Sequence, residues 1–112
     1  MNHKKKFLFA AMFEFLKKLF GPGVDLKEKM AQGAIILDVR STGEFSRGHV
    51  KNSKNIPLDK INAKMETIKK WDKPVIACCA SGMRSGSAVA ILKNNGIEAY
   101  NAGSWQAAKR LV

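Results

Sequence analysis

Apolar and polar positions alternate in blocks whose period changes along the chain, and the changes mark its elements. Ala34-Ile35-Ile36-Leu37-Asp38-Val39 is an apolar run with a single charge, the pattern of a parallel strand covered on both faces. Pro74-Val75-Ile76-Ala77-Cys78 reads the same way. Shorter segments, Ser53 to Ile56 ended by Pro57 and Ile97 to Tyr100, complete a set of strands. Between them the spacing lengthens. Leu58, Ile61, Met65 and Ile68 recur at three and four residues, which predicts an amphipathic helix over 58–70. Asp25 with Glu28 resembles a capping box opening a helix through Ala31, which Gly33 ends. Ser41 to Arg47 forms a short helix closed by Gly48, Gly86 to Asn95 a helix body stopped by Gly96, and 104–111 a closing helix. Strands and helices alternate, so the fold class is α/β with a largely parallel sheet.

Residues 1–23 stand apart as a basic amphipathic extension, leaving 24–112 as one domain. Lys4-Lys5-Lys6 precede an apolar stretch interrupted by Glu14, Lys17 and Lys18, and Gly21-Pro22-Gly23 breaks the pattern as a hinge. The apolar stretch is short for a secretory signal, and Glu14 intrudes on it. An amphipathic helix packed on its own domain, or a partly ordered extension, is the favoured reading. An interfacial role remains as the alternative, with at most weak, salt-sensitive contact with an anionic membrane surface. No apolar run approaches the ~20 residues of a membrane-spanning helix.

Charge changes the picture only modestly. The formal net charge is +11, from 20 Lys and Arg against 9 Asp and Glu. The basic residues are mostly scattered lysines, and no nucleic-acid recognition motif accompanies them. Nucleic acid is therefore excluded as the expected partner, and the field favours small anions instead. The two cysteines, Cys78 and Cys79, are adjacent. A bridge between neighbours would be strained, so both are read as free thiols, which suits a reducing, cytoplasmic compartment.

The candidate chemistry lies at the end of the second long strand. Cys79-Ala80-Ser81-Gly82-Met83-Arg84-Ser85 joins that strand to the following helix. A thiol there faces unpaired backbone N–H groups and the positive end of a helix dipole, which favour the thiolate, the reactive form. Gly82 lets the backbone curl into an anion nest. Arg84 is expected to add a forked donor set for an oxyanion. Ser81 and Ser85 supply hydroxyls, and Ser85 is a candidate helix cap. Strand alternation packs Cys78 inward and leaves Cys79 at the rim. Asp38, Arg40, Glu44 and His49 could tune the pocket, but a structural network after the first strand is the better reading, because buried charges need partners.

These residues carry a resemblance. Leu37-Asp38-Val39-Arg40 with Glu44-Phe45, Gly48-His49-Val50 and Asn55-Ile56-Pro57-Leu58 is similar to the first signature of the rhodanese family of sulfurtransferases. The Cys79–Ser85 stretch resembles its active-site loop, and Gly103-Ser104-Trp105 its C-terminal signature, with Ser104 where a second glycine commonly stands. The resemblance implies a single-domain fold with a five-stranded, mostly parallel sheet flanked by helices on both faces. It also implies a Cys79 persulfide, with Ala80, Ser81, Gly82, Met83, Arg84 and Ser85 as the donor-binding loop and no metal or organic cofactor. The implied activity is thiosulfate sulfurtransferase. The implied partners are a small anionic sulfur donor and a thiophilic acceptor, namely cyanide, glutathione or a protein thiol. Two other readings compete. One is a non-catalytic module keeping the fold as a binding surface. The other is a cysteine phosphatase or arsenate reductase, enzymes that resemble one another in having five residues between cysteine and arginine; it is disfavoured because only four separate Cys79 from Arg84.

Overall fold

The computed structural model describes residues 24–112. The expected helix, hinge and membrane contact of residues 1–23 lie outside the described residues. The element order is α1 (Leu26–Ala31), β1 (Ile35–Asp38), α2 (Thr42–Ser46), β2 (Lys54–Asn55), a 3-10 turn (Leu58–Lys60), α3 (Met65–Trp71), β3 (Val75–Cys79), α4 (Met83–Asn94), β4 (Ala99–Ser104) and α5 (Trp105–Lys109). The strands form one sheet in the order β2-β1-β3-β4, with every neighbouring pair parallel. Among the described residues the sheet has four strands rather than five. Four is also the number of segments between Ala34 and Tyr100 that read as strands, so the fifth was implied by the resemblance and not by the pattern.

The two central strands alternate between two cores, as parallel strands covered on both faces must. Leu37, Val39, Val75, Ala77 and Cys79 face one core with Ile61, Ile68, Ala88 and Leu92 from the 3-10 turn, α3 and α4. Ile36, Ile76 and Cys78 face the other with Val50 and Ala108, and Trp105 and Met30 are packed at its edge. Helices therefore cover both faces, and the strand ends are free to present loops.

Three boundaries differ from the sequence pattern. The helix expected over 58–70 is split, because Lys64 leaves helical geometry (φ −102°, ψ 9°) before α3 begins. A 3-10 turn eclipses side chains three apart, so Leu58 and Ile61 still reach the same core as Met65 and Ile68. Apolar spacing alone does not distinguish the two arrangements. Strand β4 runs to Ser104 rather than stopping at Tyr100, because a bulge beside Ala77 and Cys78 pairs Cys78 with Gly103 and Cys79 with Ser104. Helix α4 starts at Met83, a turn earlier than its apolar face suggests, leaving only Ala80-Ser81-Gly82 as connection.

Beyond β1 the chain is fastened by a buried ion pair. Arg40 Nη2 donates to Asp38 Oδ2 at 2.7 Å and Nε reaches both carboxylate oxygens at 3.0 Å. The same Nη2 donates to the Gly48 carbonyl at 2.7 Å, and the guanidinium lies 4.8 Å from the centre of the Trp105 ring. Asn55 Nδ2 donates to the carbonyls of Asp38 and Arg40 at 3.0 Å. Asp38 and Arg40 thus form the expected network, joining β1, β2 and the residues around α5. Removing one partner strands a buried charge, and Arg40→Ala should cost about 3–5 kcal/mol in urea unfolding. A loss below about 1 kcal/mol would show that the pair is solvated.

Candidate functional site

Cys79 is the last residue of β3, and the chain turns directly over its sulfur. Gly82 adopts φ +102° and ψ −7° at the N-cap of α4. A Cβ there would approach the Gly103 Cα to 3.1 Å, so glycine is required both for conformation and for space. The turn aims donors at one atom. The Gly82 amide donates to Cys79 Sγ at 3.0 Å, and the Ser85 amide and hydroxyl stand at 3.4 Å. Ser85 is not the helix cap, since it lies inside the first turn of α4 and is fully buried. The position at the cap is Gly82, which has no side chain to offer.

The two adjacent thiols behave in opposite ways. Burial drives the Cys78 thiol up to about 12, and the nearby Asp38 carboxylate adds to the rise. Burial also pushes Cys79 up, but the Ser85 hydroxyl and the amides of Ser85, Gly82 and Ser81 outweigh it and hold the thiol at about 7. That is well below its ordinary value of 9.0. A large thiolate fraction at neutral pH follows.

Cys79 is not at the rim, as strand alternation suggested. It has no exposed surface, because α4 begins early and its first turn closes over the sulfur. The loop around it is graded: Ala80 and Ser81 are exposed, and Met83 is 81 % exposed. Arg84 does not face the sulfur. Its Nη1 and Nη2 donate to Glu44 Oε1 and Oε2 at 2.7 and 3.0 Å. Arg84 and the Ser41 donors hold the Glu44 carboxyl down at about 2. The Glu44 carbonyl stays in the Asp38–Arg40 network, accepting from Arg40 Nη1 at 3.4 Å, while its carboxylate ties α2 to the loop and caps α2 through Ser41. His49 stacks on Phe45 with ring centres 3.7 Å apart, and its Nδ1 is 2.8 Å from the Phe45 carbonyl oxygen. None of these contacts involves the loop.

Sequence reasoning missed Asn101. Its Nδ2 donates to the Gly82 carbonyl at 2.9 Å, and its Oδ1 lies 2.7 Å from Ser85 Oγ and accepts from the Gly103 amide at 2.9 Å. One side chain thus fixes both ends of the turn. The Ser85 hydroxyl has a single proton, so it can serve Asn101 or the sulfur at any moment. A thiolate is the stronger acceptor and draws it inward. The clue lay in the length of β4, which places Asn101 beside the carboxyl end of β3; a strand ending at Tyr100 does not. Among the described residues, no three His, Cys, Asp or Glu side chains gather as metal ligands, and no helix is long and apolar enough to cross a membrane.

The rhodanese-like domain profile matches residues 24–110. The chain belongs to the rhodanese-like domain family. It is 41 % identical over 69 residues to the uncharacterised Bacillus subtilis protein YqhL, covering 61 % of this chain and 54 % of that one. It is 32 % identical over 78 residues to a Thermoplasma acidophilum tRNA sulfurtransferase, covering 69 % of this chain but 15 % of the relative. The match thus spans about half or less of these relatives' length. A solved rhodanese-related protein from Thermoplasma volcanium superposes with a TM-score of 0.65 at 30 % identity, covering 77 % of this chain and 84 % of that one.

An ultraviolet thiolate titration should show one thiol with a midpoint near 7, absorbance rising as pH increases through it. Cys79→Ser should abolish this step, and Asn101→Ala should move it upward by loosening the donors. The thiolate form of Cys79 stabilises the fold fully above its ordinary value, and that contribution is lost as pH falls through about 7. A midpoint near 9.0 in the parent would contradict the donor arrangement.

Proposed function

We propose that the protein is a sulfurtransferase that carries sulfane sulfur on Cys79, taking it from thiosulfate or a persulfide and passing it to cyanide, glutathione or a protein thiol. The convergence of the Gly82 amide and the Ser85 amide and hydroxyl on one sulfur carries this reading. Membership of the rhodanese-like family and a relative named as a tRNA sulfurtransferase support it.

In the first half-reaction the Cys79 thiolate attacks the outer sulfur of thiosulfate. A sulfur–sulfur bond forms at Sγ, the bond to the sulfonate sulfur breaks, and its electron pair leaves with sulfite. The nucleophile is already deprotonated, so no general base is needed and His49 has no part. The product is a Cys79 persulfide anion, for which the loop amides are the available donors. In the second half-reaction an acceptor thiolate attacks the outer sulfur and restores the Cys79 thiolate. Each exchange moves one neutral sulfur atom and conserves charge.

Burial of Cys79 sets a condition on this chemistry. The Ala80-Ser81-Gly82 turn must lift from Sγ for a donor to approach in line, and the outer sulfur must then find the same amides. A turn held by one Asn101 hydrogen bond, at the Gly82 carbonyl, and hinged on one glycine can make that adjustment locally, without moving β3 or α4.

Intact mass spectrometry after thiosulfate treatment tests the assignment. One added sulfur atom is expected, located on Cys79 and released by cyanide as thiocyanate. Cys79→Ser should take up none and form no thiocyanate while remaining folded, and it should lack the parent's gain in stability as pH rises through about 7. Parent-like turnover by that variant would overturn the proposal.

A further inference from the structure

Arg84 is the loop's permanent cation, yet both of its forked donors are engaged by Glu44. Beside the pair lies an open cleft of about 400 Å³ lined by Val39, Ser41, Pro57, Leu58, Asp59 and Arg84. It starts at the residue preceding Ser85, whose amide and hydroxyl touch Cys79 Sγ. Its walls are largely apolar, from Val39, Pro57 and Leu58. The charged residues of its lining are Arg84 and Asp59, and because Glu44 neutralises Arg84 the lining is left with the negative charge of Asp59. Such a cleft disfavours a dianion and accepts an apolar body.

We propose that this cleft, with Glu44 cancelling the charge of Arg84, selects organic sulfane-sulfur donors of single negative charge over the thiosulfate dianion. The inference rests on the sulfurtransferase reading and specifies the donor class. With an aryl thiosulfonate, the Cys79 thiolate attacks the terminal sulfur. The new bond forms at Sγ, the bond to the sulfonyl sulfur breaks, and the electron pair leaves as a sulfinate. The persulfide is the same as before. Only the leaving group differs, and its apolar ring has the Val39–Pro57–Leu58 wall to rest on. Glu44 also fits a role in selectivity because its pairing does not depend on substrate: Ser41 and Arg84 fix the carboxylate from both sides.

The test measures thiocyanate formation, as kcat/KM, from thiosulfate, methanethiosulfonate and benzenethiosulfonate in the full chain. In the parent, benzenethiosulfonate should exceed thiosulfate by about tenfold or more, and methanethiosulfonate should fall between, since it matches the charge but lacks the ring. Glu44→Gln keeps the helix-capping group and frees the guanidinium. It should raise thiosulfate use about tenfold and the monoanions only about threefold, because Coulomb energy scales with donor charge. Arg84→Gln leaves the carboxylate alone and should shift the same ratio the opposite way. The double variant, with neither charge, should return the ratio to within about twofold of the parent. Loss of structure would lower all donors together and leave the ratio unmoved, so a single variant counts only where its unfolding transition shows that it folds, and either one decides the matter if the other fails to fold. An unchanged or reversed ratio in a folded variant overturns the inference. If the parent forms the Cys79 persulfide with all three donors equally, this inference falls and the sulfurtransferase reading stands. If it forms with none, both fall.

Discussion

Hydrogen bonds to one buried sulfur govern the chemistry of this protein. Taken alone, burial would make Cys79 as unreactive as its neighbour. Cys78 shows that outcome within the same strand: equally buried, beside a carboxylate and without loop donors, it is driven up to about 12. One residue further on, three short contacts from Gly82 and Ser85 reverse the sign of the effect. The low dielectric that penalises an unpaired thiolate strengthens each donor once it is aligned. Burial and reactivity are compatible here only because the turn supplies its donors at the place where water is excluded.

The turn depends in its place on the strands beneath it. Parallel pairing of β3 with β4 sets Ser104 beside Cys79, and the bulge brings Gly103 next to Gly82. Asn101 then bridges the Gly82 carbonyl and the Ser85 hydroxyl. On the other side of β3, strand β1 ends in the Asp38–Arg40 pair, which leads the chain into α2 and so positions Glu44 against Arg84. The signature residues before the loop therefore act at a distance from the sulfur, by fixing elements whose ends meet around it. Ser104, where a second glycine commonly stands, caps α5 by accepting from the Ala107 amide at 3.1 Å, so the departure is absorbed locally.

Much of this was legible in the amino-acid order. Continuous apolar runs at 34–39 and 74–78 mark central parallel strands, and Cys79 with Gly82 marks a strand-to-helix turn carrying a thiol. The parts that were not legible share a cause: they depend on contacts between segments distant in the chain. The direction of Arg84 is decided by Glu44, forty residues earlier. The part played by Asn101 is decided by how far β4 runs, which depends on a bulge at Ala102 that keeps β4 paired with β3 as far as Ser104. The break at Lys64 leaves the apolar spacing intact, so no periodicity reveals it. Exposure of Cys79 was misjudged because α4 starts before its apolar face begins.

The central claim is that the loop amides bear directly on the charge of the Cys79 sulfur. Following the Gly82 and Ser85 amide protons by NMR across a pH titration tests it most directly. The account predicts that both shift together, with a common midpoint near 7, and that Cys79→Ser abolishes the shift. Amide signals that stay still while the thiol titrates near 9.0 would contradict it.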